Sequence, residues 1–132
     1  MPSCHKLRPG ETYAGKQGFS YFEGISSETT GSNAICMHLL TIPPGGRARA
    51  HKHATHETAI LVLEGRSVMY WGERLENVME STAGEMVYIP ADMPHLPFNP
   101  GPDTVRAVIA RTDPHELESV VLLPVLEALA PH

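Results

Sequence analysis

The sequence predicts an all-β fold in which short strands are joined by turns. Twelve prolines and eleven glycines are spread along 132 residues, so few windows are long enough for a helix before a breaker intervenes. Short segments rich in β-branched and aliphatic residues lie between these turn signals, at a spacing typical of a sandwich or a barrel. A chain of this length fits a single domain around one core, and we predict that residues 1–132 form it.

Taken in order, the elements begin with a polar, glycine-rich stretch at 1–33, where we expect loops and one or two edge strands packed outside the barrel. Composition then predicts a series of strands at 34–42, 58–65, 67–72, 85–90 and 104–112. Proline and glycine predict turns between them at 43–46, 65, 84, 94 and 97–101. The stretch 113–132 has a helical pattern near its end, and Pro124 is expected to divide it into an apolar strand and a short helical turn.

The charge balance excludes one class of partner. Fifteen acidic against ten basic residues give a net charge of -5, which argues against nucleic-acid binding. No apolar run approaches the roughly 18 residues of a membrane span, and the N-terminus lacks the apolar core of a secretory signal. We therefore predict a cytoplasmic protein without a membrane partner, in which Cys4 and Cys36 are free thiols and Cys36 is buried.

The segment AHKHATHET at 50–58 concentrates three of the eight histidines. Alternate residues of an extended segment project from one face, so the rings of His51 and His53 can point at one spot. His95 follows a predicted strand end and a proline turn, where its ring can be directed toward the other two. Imidazole nitrogens bind divalent metals at about 2.0–2.1 Å, and three such rings would form a metal site.

Together these segments resemble the paired motifs of the cupin superfamily, whose members form a small β-barrel around a metal. The resemblance covers residues 34–112 and implies a cupin-type jelly roll, or double-stranded β-helix. The first motif is carried by Gly45, His51, His53, Glu57 and Gly65, and the second by Gly84, Pro90, His95 and Asn99.

Two positions depart from the family pattern. Asp92 stands where the family prefers glycine, and aspartate tolerates the left-handed backbone that such a turn needs. The interval between Glu57 and Gly65 is one residue longer than usual, so Thr58 stands where the metal-binding glutamate should fall.

The resemblance implies metal ligation by His51, His53, Glu57 and His95, with His56 as the rival fourth ligand. Three completions of the metal shell stay open: a bulge that turns Glu57 inward, ligation by His56, or water.

Other polar residues are assigned to the fold or the surface. Asn99 is predicted to form a turn, and His38 to be a hydrogen-bonded structural histidine. Three basic residues, Lys16, Arg106 and Arg111, could bind a substrate carboxylate or phosphate. We predict instead that they are solvated charges, because charged residues in strands and loops usually face water.

The resemblance implies one divalent metal (Fe, Mn, Ni, Zn or Cu) with at least one position open to a small-molecule substrate. The first expectation is a dioxygenase-like enzyme that acts on a chelating diketone, phenol or carboxylate. The alternatives are an isomerase, lyase or cyclase that uses the metal as a Lewis acid, and a non-catalytic ligand-binding cupin. Exposed sheet edges predict a homodimer.

Overall fold

The computed structural model describes residues 3–8, 12–14, 20–115 and 120–129. In these ranges the chain forms eleven strands and two short helices. The strands are β1 (Thr12–Ala14), β2 (Ser20–Ile25), β3 (Cys36–Ile42), β4 (His51–His53), β5 (Thr58–Glu64), β6 (Arg66–Trp71), β7 (Asn77–Thr82), β8 (Met86–Ile89), β9 (His95–Phe98), β10 (Val105–Arg111) and β11 (Val120–Leu122). The helices are α1 (Ser27–Thr30) and α2 (Pro124–Glu127).

The strands form two antiparallel sheets. One contains six strands in the order β1-β2-β3-β10-β5-β8, and the other contains five in the order β11-β4-β9-β6-β7. Neighbours in each sheet are mostly distant along the chain, as in a jelly roll, so the predicted all-β class is confirmed. Within the described ranges, no helix is long and apolar enough to cross a membrane.

The core lies between the sheets and follows from strand alternation. In β3 and β10 the first, third, fifth and seventh residues are all buried, which places these side chains on the inner face. The main apolar cluster contains Leu40, Ile42, Ala48, Val105 and Ile109. Fully burying one such aliphatic side chain contributes about 1.5–3 kcal/mol, so this face drives the sheets together. Cys36 is buried and Cys4 is exposed, and neither forms a disulfide, as predicted.

Composition predicted none of the strands β4, β7 and β9, although the histidine pattern treated β4 as an extended segment. In β7 most side chains are exposed and only Ser81 is buried, so the segment lacks the apolar signal of a strand. β9 contains Pro97 and Phe98, which the sequence assigned to a turn, and that assignment is wrong. Although Pro97 has no N–H, its carbonyl accepts a hydrogen bond from the Ala48 backbone at 3.0 Å.

The turns that flank the motif strands have the expected chemistry. Asp92 has a φ of 65°, and its backbone N–H donates to the His53 carbonyl at 2.8 Å, so aspartate does adopt the left-handed turn. Gly65 has a φ of 85°, and a Cβ atom there would lie 2.6 Å from the Thr104 carbonyl oxygen. The buried Asn99 side chain donates to two backbone carbonyls at 2.7 and 3.0 Å, which confirms its turn-forming role.

The C-terminal segment divides at Pro124 as predicted, into a strand and one helical turn. β11 pairs with β4, with Val120 opposite His53 and Leu122 opposite His51. β4 therefore lies between β11 and β9, and the strand that carries two histidines is held on both sides.

The residue before β4 is tied to the same segment. Ala50 is fully buried, and its carbonyl accepts from the Leu123 backbone at 2.8 Å while its N–H donates to Glu127 Oε1 at 3.1 Å. Both backbone polar groups of Ala50 are thereby satisfied by residues that follow β11.

Candidate metal centre

Three histidines that are separated in sequence meet inside the barrel. β4 supplies His51 and His53 on one face, and β9 supplies His95 directly opposite His51 in the ladder. The ring centroid of His51 lies 4.2 Å from that of His95 and 5.4 Å from that of His53. All three residues are buried.

The three rings can each offer one nitrogen to a common centre. These nitrogens lie within 4.8 Å of one another, whereas two bonds of about 2.1 Å to one ion hold ligand atoms at most about 4.2 Å apart, so the rings would draw slightly closer around a shared ion. His51 Nδ1 donates to the Arg49 carbonyl at 2.7 Å, and His95 Nδ1 donates to the Met93 carbonyl at 2.9 Å. A carbonyl can only accept, so Nε2 of each of these two rings carries the lone pair that a metal needs.

The rings are held in the neutral form. Burial, together with the charge of Arg111, lowers the pKa of His95 to about 4 and that of His53 to about 2. Burial also lowers the pKa of His51 well below its usual value, with neighbouring His95 adding to the effect. Neutral imidazoles are the form that ligates metals, so this donor set fits a divalent cation at neutral pH.

The histidines lie in a pocket between the two sheets. Its wall is mainly apolar, with branched side chains from β3, β5, β8 and β10. The lining residues that carry side-chain polar groups are His51, His53, Thr58, Ser67, Ser81, His95 and Arg111. A concave apolar site with a few convergent polar groups is the usual form of a small-molecule site.

Glu57 and His56 both lie outside the histidine cluster in the described structure. The Glu57 carboxylate is exposed and accepts a hydrogen bond from the Tyr88 hydroxyl at 2.9 Å. His56 Nδ1 donates to the Thr112 carbonyl at 2.8 Å, and its Nε2 lies 3.5 Å from Asp113 Oδ2. Ligation by either residue stays a prediction.

Thr58 occupies the place that the motif spacing assigned to a glutamate. It is the first residue of β5, and together with Ile60 and Val62 it lines the pocket, as the parity of the strand predicts. Its side chain is buried, and its hydroxyl has no hydrogen-bond partner among the described residues. A neutral hydroxyl therefore faces the pocket where the family pattern has a carboxylate.

Arg111 is a functional candidate that the sequence analysis considered and set aside. It was predicted to be solvated, but it is only 4% exposed and lines the same pocket as the three histidines. The missed signal is strand parity, because Arg111 continues the buried positions Val105, Ala107 and Ile109 of β10. Arg106 is exposed and lies 3.7 Å from Glu64, as predicted for a solvated charge. The prediction for Lys16 lies outside the described residues.

His38 is buried on the inner face of β3. Burial lowers its pKa to about 3, and the charge of Arg111 contributes in the same direction. It does not line the pocket described above, and we assign it a structural role.

The fold and the histidine cluster together define the class of protein: a small antiparallel β-barrel with a candidate metal site in its interior. The sequence profile of the cupin domain matches residues 38–111, which span β3 to β10. The chain belongs to the cupin family, as its motifs indicated.

Comparisons with individual proteins agree with this fold. An uncharacterized protein of Methanocaldococcus jannaschii is 31% identical over 83 residues, which cover 62% of this chain and 63% of that relative. The polyketide cyclase RemF of Streptomyces resistomycificus superimposes with a TM-score of 0.76 at 20% identity, covering 98% of this chain and 95% of RemF. Oxalate decarboxylase of Bacillus subtilis, described with Mn(II) centres, superimposes with a TM-score of 0.71 at 21% identity. The match covers 95% of this chain and 32% of the decarboxylase chain.

Proposed function

We propose that the protein is a mononuclear metal enzyme that acts on a small chelating substrate, with His51, His53 and His95 as the permanent ligands. The observation that carries this proposal is the convergence of three buried, neutral imidazoles from two strands on one point of an interior pocket. Structural sites saturate their metal with protein ligands, whereas three protein ligands leave positions open for water or substrate. A divalent cation there would polarise a bound oxygen or, if redox-active, support dioxygen chemistry.

The chain's own residues prepare the pocket for such a substrate. The carbonyls of Arg49 and Met93 fix the orientation of two ligand rings, which removes the cost of ordering them when the ion binds. The apolar side chains from both sheets exclude water and favour a compact organic molecule over bulk solvent. Our first assignment is a dioxygenase-like reaction on a chelating diketone, phenol or carboxylate.

A second candidate is a non-redox reaction, such as a cyclisation or isomerisation, in which the metal serves as a Lewis acid. The likeness to RemF supports it, since that cyclase covers nearly the whole chain. A non-catalytic ligand-binding protein is the alternative of another class. The cytoplasmic location and the homodimer stay predictions of the sequence.

The test begins with protein purified without chelators, whose metal is identified by mass spectrometry. We expect about one divalent ion per chain in the native protein and a loss of most of it in His95→Ala. His115→Ala is the matched control, because His115 lies outside the cluster and bonds to Glu28 at 2.7 Å. Equal metal content in the two variants would contradict the ligand assignment.

Oxygen consumption then separates the two reaction classes. The metal-loaded protein is given acetylacetone, catechol and glycolate, and oxygen uptake is followed with an electrode. Uptake with one of these substrates supports the dioxygenase-like assignment. A zinc-containing protein that consumes no oxygen would overturn it and favour the Lewis-acid alternative.

A further inference from the structure

The pocket that contains the histidines also contains a pair of serines. Ser67 and Ser81 both line it, and they are direct partners in the pairing of β6 with β7. Opposite residues of an antiparallel pair have Cβ atoms about 4.5–5.5 Å apart, so the two side chains face the pocket side by side. Ser81 is only 7% exposed. The pair is therefore a feature of the barrel interior.

The register of β6 separates this serine pair from the histidines. Trp71 lies opposite His95 in the pairing of β6 with β9, whereas Ser67 lies near the start of the same strand. At about 3.3 Å per residue, the strand rises about 13 Å between Ser67 and Trp71. The pocket is thus elongated, with imidazoles towards one end and two hydroxyls towards the other.

The wall between the two ends is apolar. Met69 lies between Ser67 and Trp71 on the same face of β6. From the other sheet, the pocket is lined by a cross-strand row that contains Ile60, Val87 and Ile109. Such side chains offer no hydrogen bond to a ligand and favour apolar groups. A molecule that spans the pocket therefore needs an apolar middle segment and a polar group at each end.

The serine hydroxyls are suited to a neutral oxygen. Neither side chain forms a hydrogen bond within the part of the chain that the structure describes. A hydroxyl has one donor and two acceptor positions, so the pair can serve a carbonyl or a hydroxyl oxygen of a ligand. Burying a charged group beside the pair would be costly, because neutral hydroxyls do not compensate a charge.

We propose that Ser67 and Ser81 form a second polar subsite, which binds a neutral carbonyl or hydroxyl oxygen at the end of the substrate remote from the metal. This inference deepens the proposed function and rests on it for the metal-bound form. The substrate class is an elongated chelate with a metal-binding head, an apolar middle segment and a second neutral oxygen. That oxygen lies about 10 Å from the head, which is the rise of the strand less the reach of one hydrogen bond.

The test uses two hydroxamic acids, whose head group chelates divalent metals. Both have an unbranched chain of about five methylenes to span that distance, and one ends in a hydroxyl where the other ends in a methyl group. Binding to the Co²⁺-loaded protein is measured by the visible spectrum of the cobalt ion. We expect the wild type to prefer the hydroxyl-terminated ligand about three- to tenfold, the gain from one neutral hydrogen bond. Equal or reversed affinities overturn the subsite.

Ser67→Ala/Ser81→Ala should abolish this preference, so that the methyl-terminated ligand binds at least as tightly. If the double variant fails to fold, Ser67→Ala and Ser81→Ala are measured singly, and each should lose part of the preference. Thr82→Ala is the matched control, because the Thr82 hydroxyl lies on the same strand as Ser81, is exposed and bonds to Glu85 Oε1 at 3.0 Å. It should keep the wild-type preference. An unchanged preference in the serine variants would show that their hydroxyls do not contact the ligand.

Melting temperatures show whether the serines serve the fold instead. Removing hydroxyls that have no partner in the protein should leave the melting temperature of the metal-free protein unchanged or raise it. A purely structural role predicts the opposite result, with a lowered melting temperature and no change in the relative affinity for the two ligands.

A metal-free measurement separates failure of this inference from failure of the proposed function. n-Hexanol should raise the melting temperature of metal-free Thr82→Ala more than that of Ser67→Ala/Ser81→Ala. If the protein binds no Co²⁺ but shows this difference, the proposed metal function is wrong and the subsite is supported. If it binds Co²⁺ but shows neither the hexanol difference nor the preference for the terminal hydroxyl, the metal function stands and the subsite is rejected. Absence of both Co²⁺ binding and the hexanol difference rejects both.

Discussion

At the scale of single residues, the departure from the family pattern that bears on the metal shell lies at Thr58. The extra residue after Glu57 places Thr58 at the start of β5, facing the pocket, while the Glu57 carboxylate is exposed beside Tyr88. This arrangement favours a metal shell of three histidines completed by water and substrate. Among the described residues the cluster consists of His51, His53 and His95, and no carboxylate joins it.

Alanine variants of Glu57 and His56 test the fourth ligand. If the shell consists of three histidines and water, both Glu57→Ala and His56→Ala should retain metal affinity within a fewfold of wild type, measured by competition with a colorimetric chelator. A protein ligand contributes far more than that to affinity. A strong loss in Glu57→Ala would show that a bulge brings this carboxylate inward, and a strong loss in His56→Ala would identify the histidine as the ligand.

The sequence was sufficient to predict the meeting of His51, His53 and His95, because the two motifs fix both parity and turn positions. It did not predict where Glu57 and His56 point. Their orientation depends on Tyr88, Thr112 and Asp113, which come from other strands and loops. Arg111 was assigned to the surface by its residue type, although the parity of its strand indicated the interior.

At the scale of elements, β4 depends on neighbours from distant parts of the chain. It has only three residues, and its pairing with β9 consists of His51 opposite His95. The pairing with β11 and the hydrogen bonds of the Ala50 backbone hold the other side of β4 in place. The C-terminal segment thus contributes to the site without providing a ligand.

Glu127→Ala tests this contribution. The change leaves the buried N–H of Ala50 without its acceptor, which should lower the free energy of unfolding by about 1–3 kcal/mol. Urea denaturation of the metal-free protein measures it, and metal affinity should fall in parallel. Glu73→Ala, at an exposed turn position, is the control and should change stability by less than about 0.5 kcal/mol. Equal stability of the two variants would show that the Glu127 contact contributes nothing.

Composition predicted those strands that have a strong apolar face, such as β3, β5 and β10. It missed β7, whose side chains are mostly exposed, and it missed β9, where proline suggested a turn. In both segments the strand is specified by pairing with β6, a long-range contact that no local pattern reveals. The division at Pro124 was predictable because proline acts locally.

At the scale of the whole molecule, the barrel buries several histidines at once, and this couples its stability to pH. The pKa values of His38, His53 and His95 are lowered to about 3, 2 and 4, well below the value of about 6.5 in an unfolded chain. Between pH 4 and 6.5 the unfolded chain therefore binds more protons than the folded one. The contribution of these histidines to the free energy of unfolding is fully present above pH 6.5 and is lost as the pH falls below that value.

His38→Gln isolates one of these groups without touching a proposed ligand. In the metal-free wild type, each buried histidine should cost about 2 kcal/mol of stability between pH 7 and pH 5. The variant should lose about 2 kcal/mol less over the same interval, measured by chemical denaturation at a series of pH values. Parallel curves for the two proteins would show that His38 does not contribute to the acid sensitivity.

The position of β11 beside β4 also bears on biosynthesis. A nascent chain emerges from the ribosome with His51 and His53 long before residues 120–122. Until that last strand arrives, one side of the histidine strand has no partner. Ion capture by this protein is consequently expected only after residues 120–122 have left the ribosome.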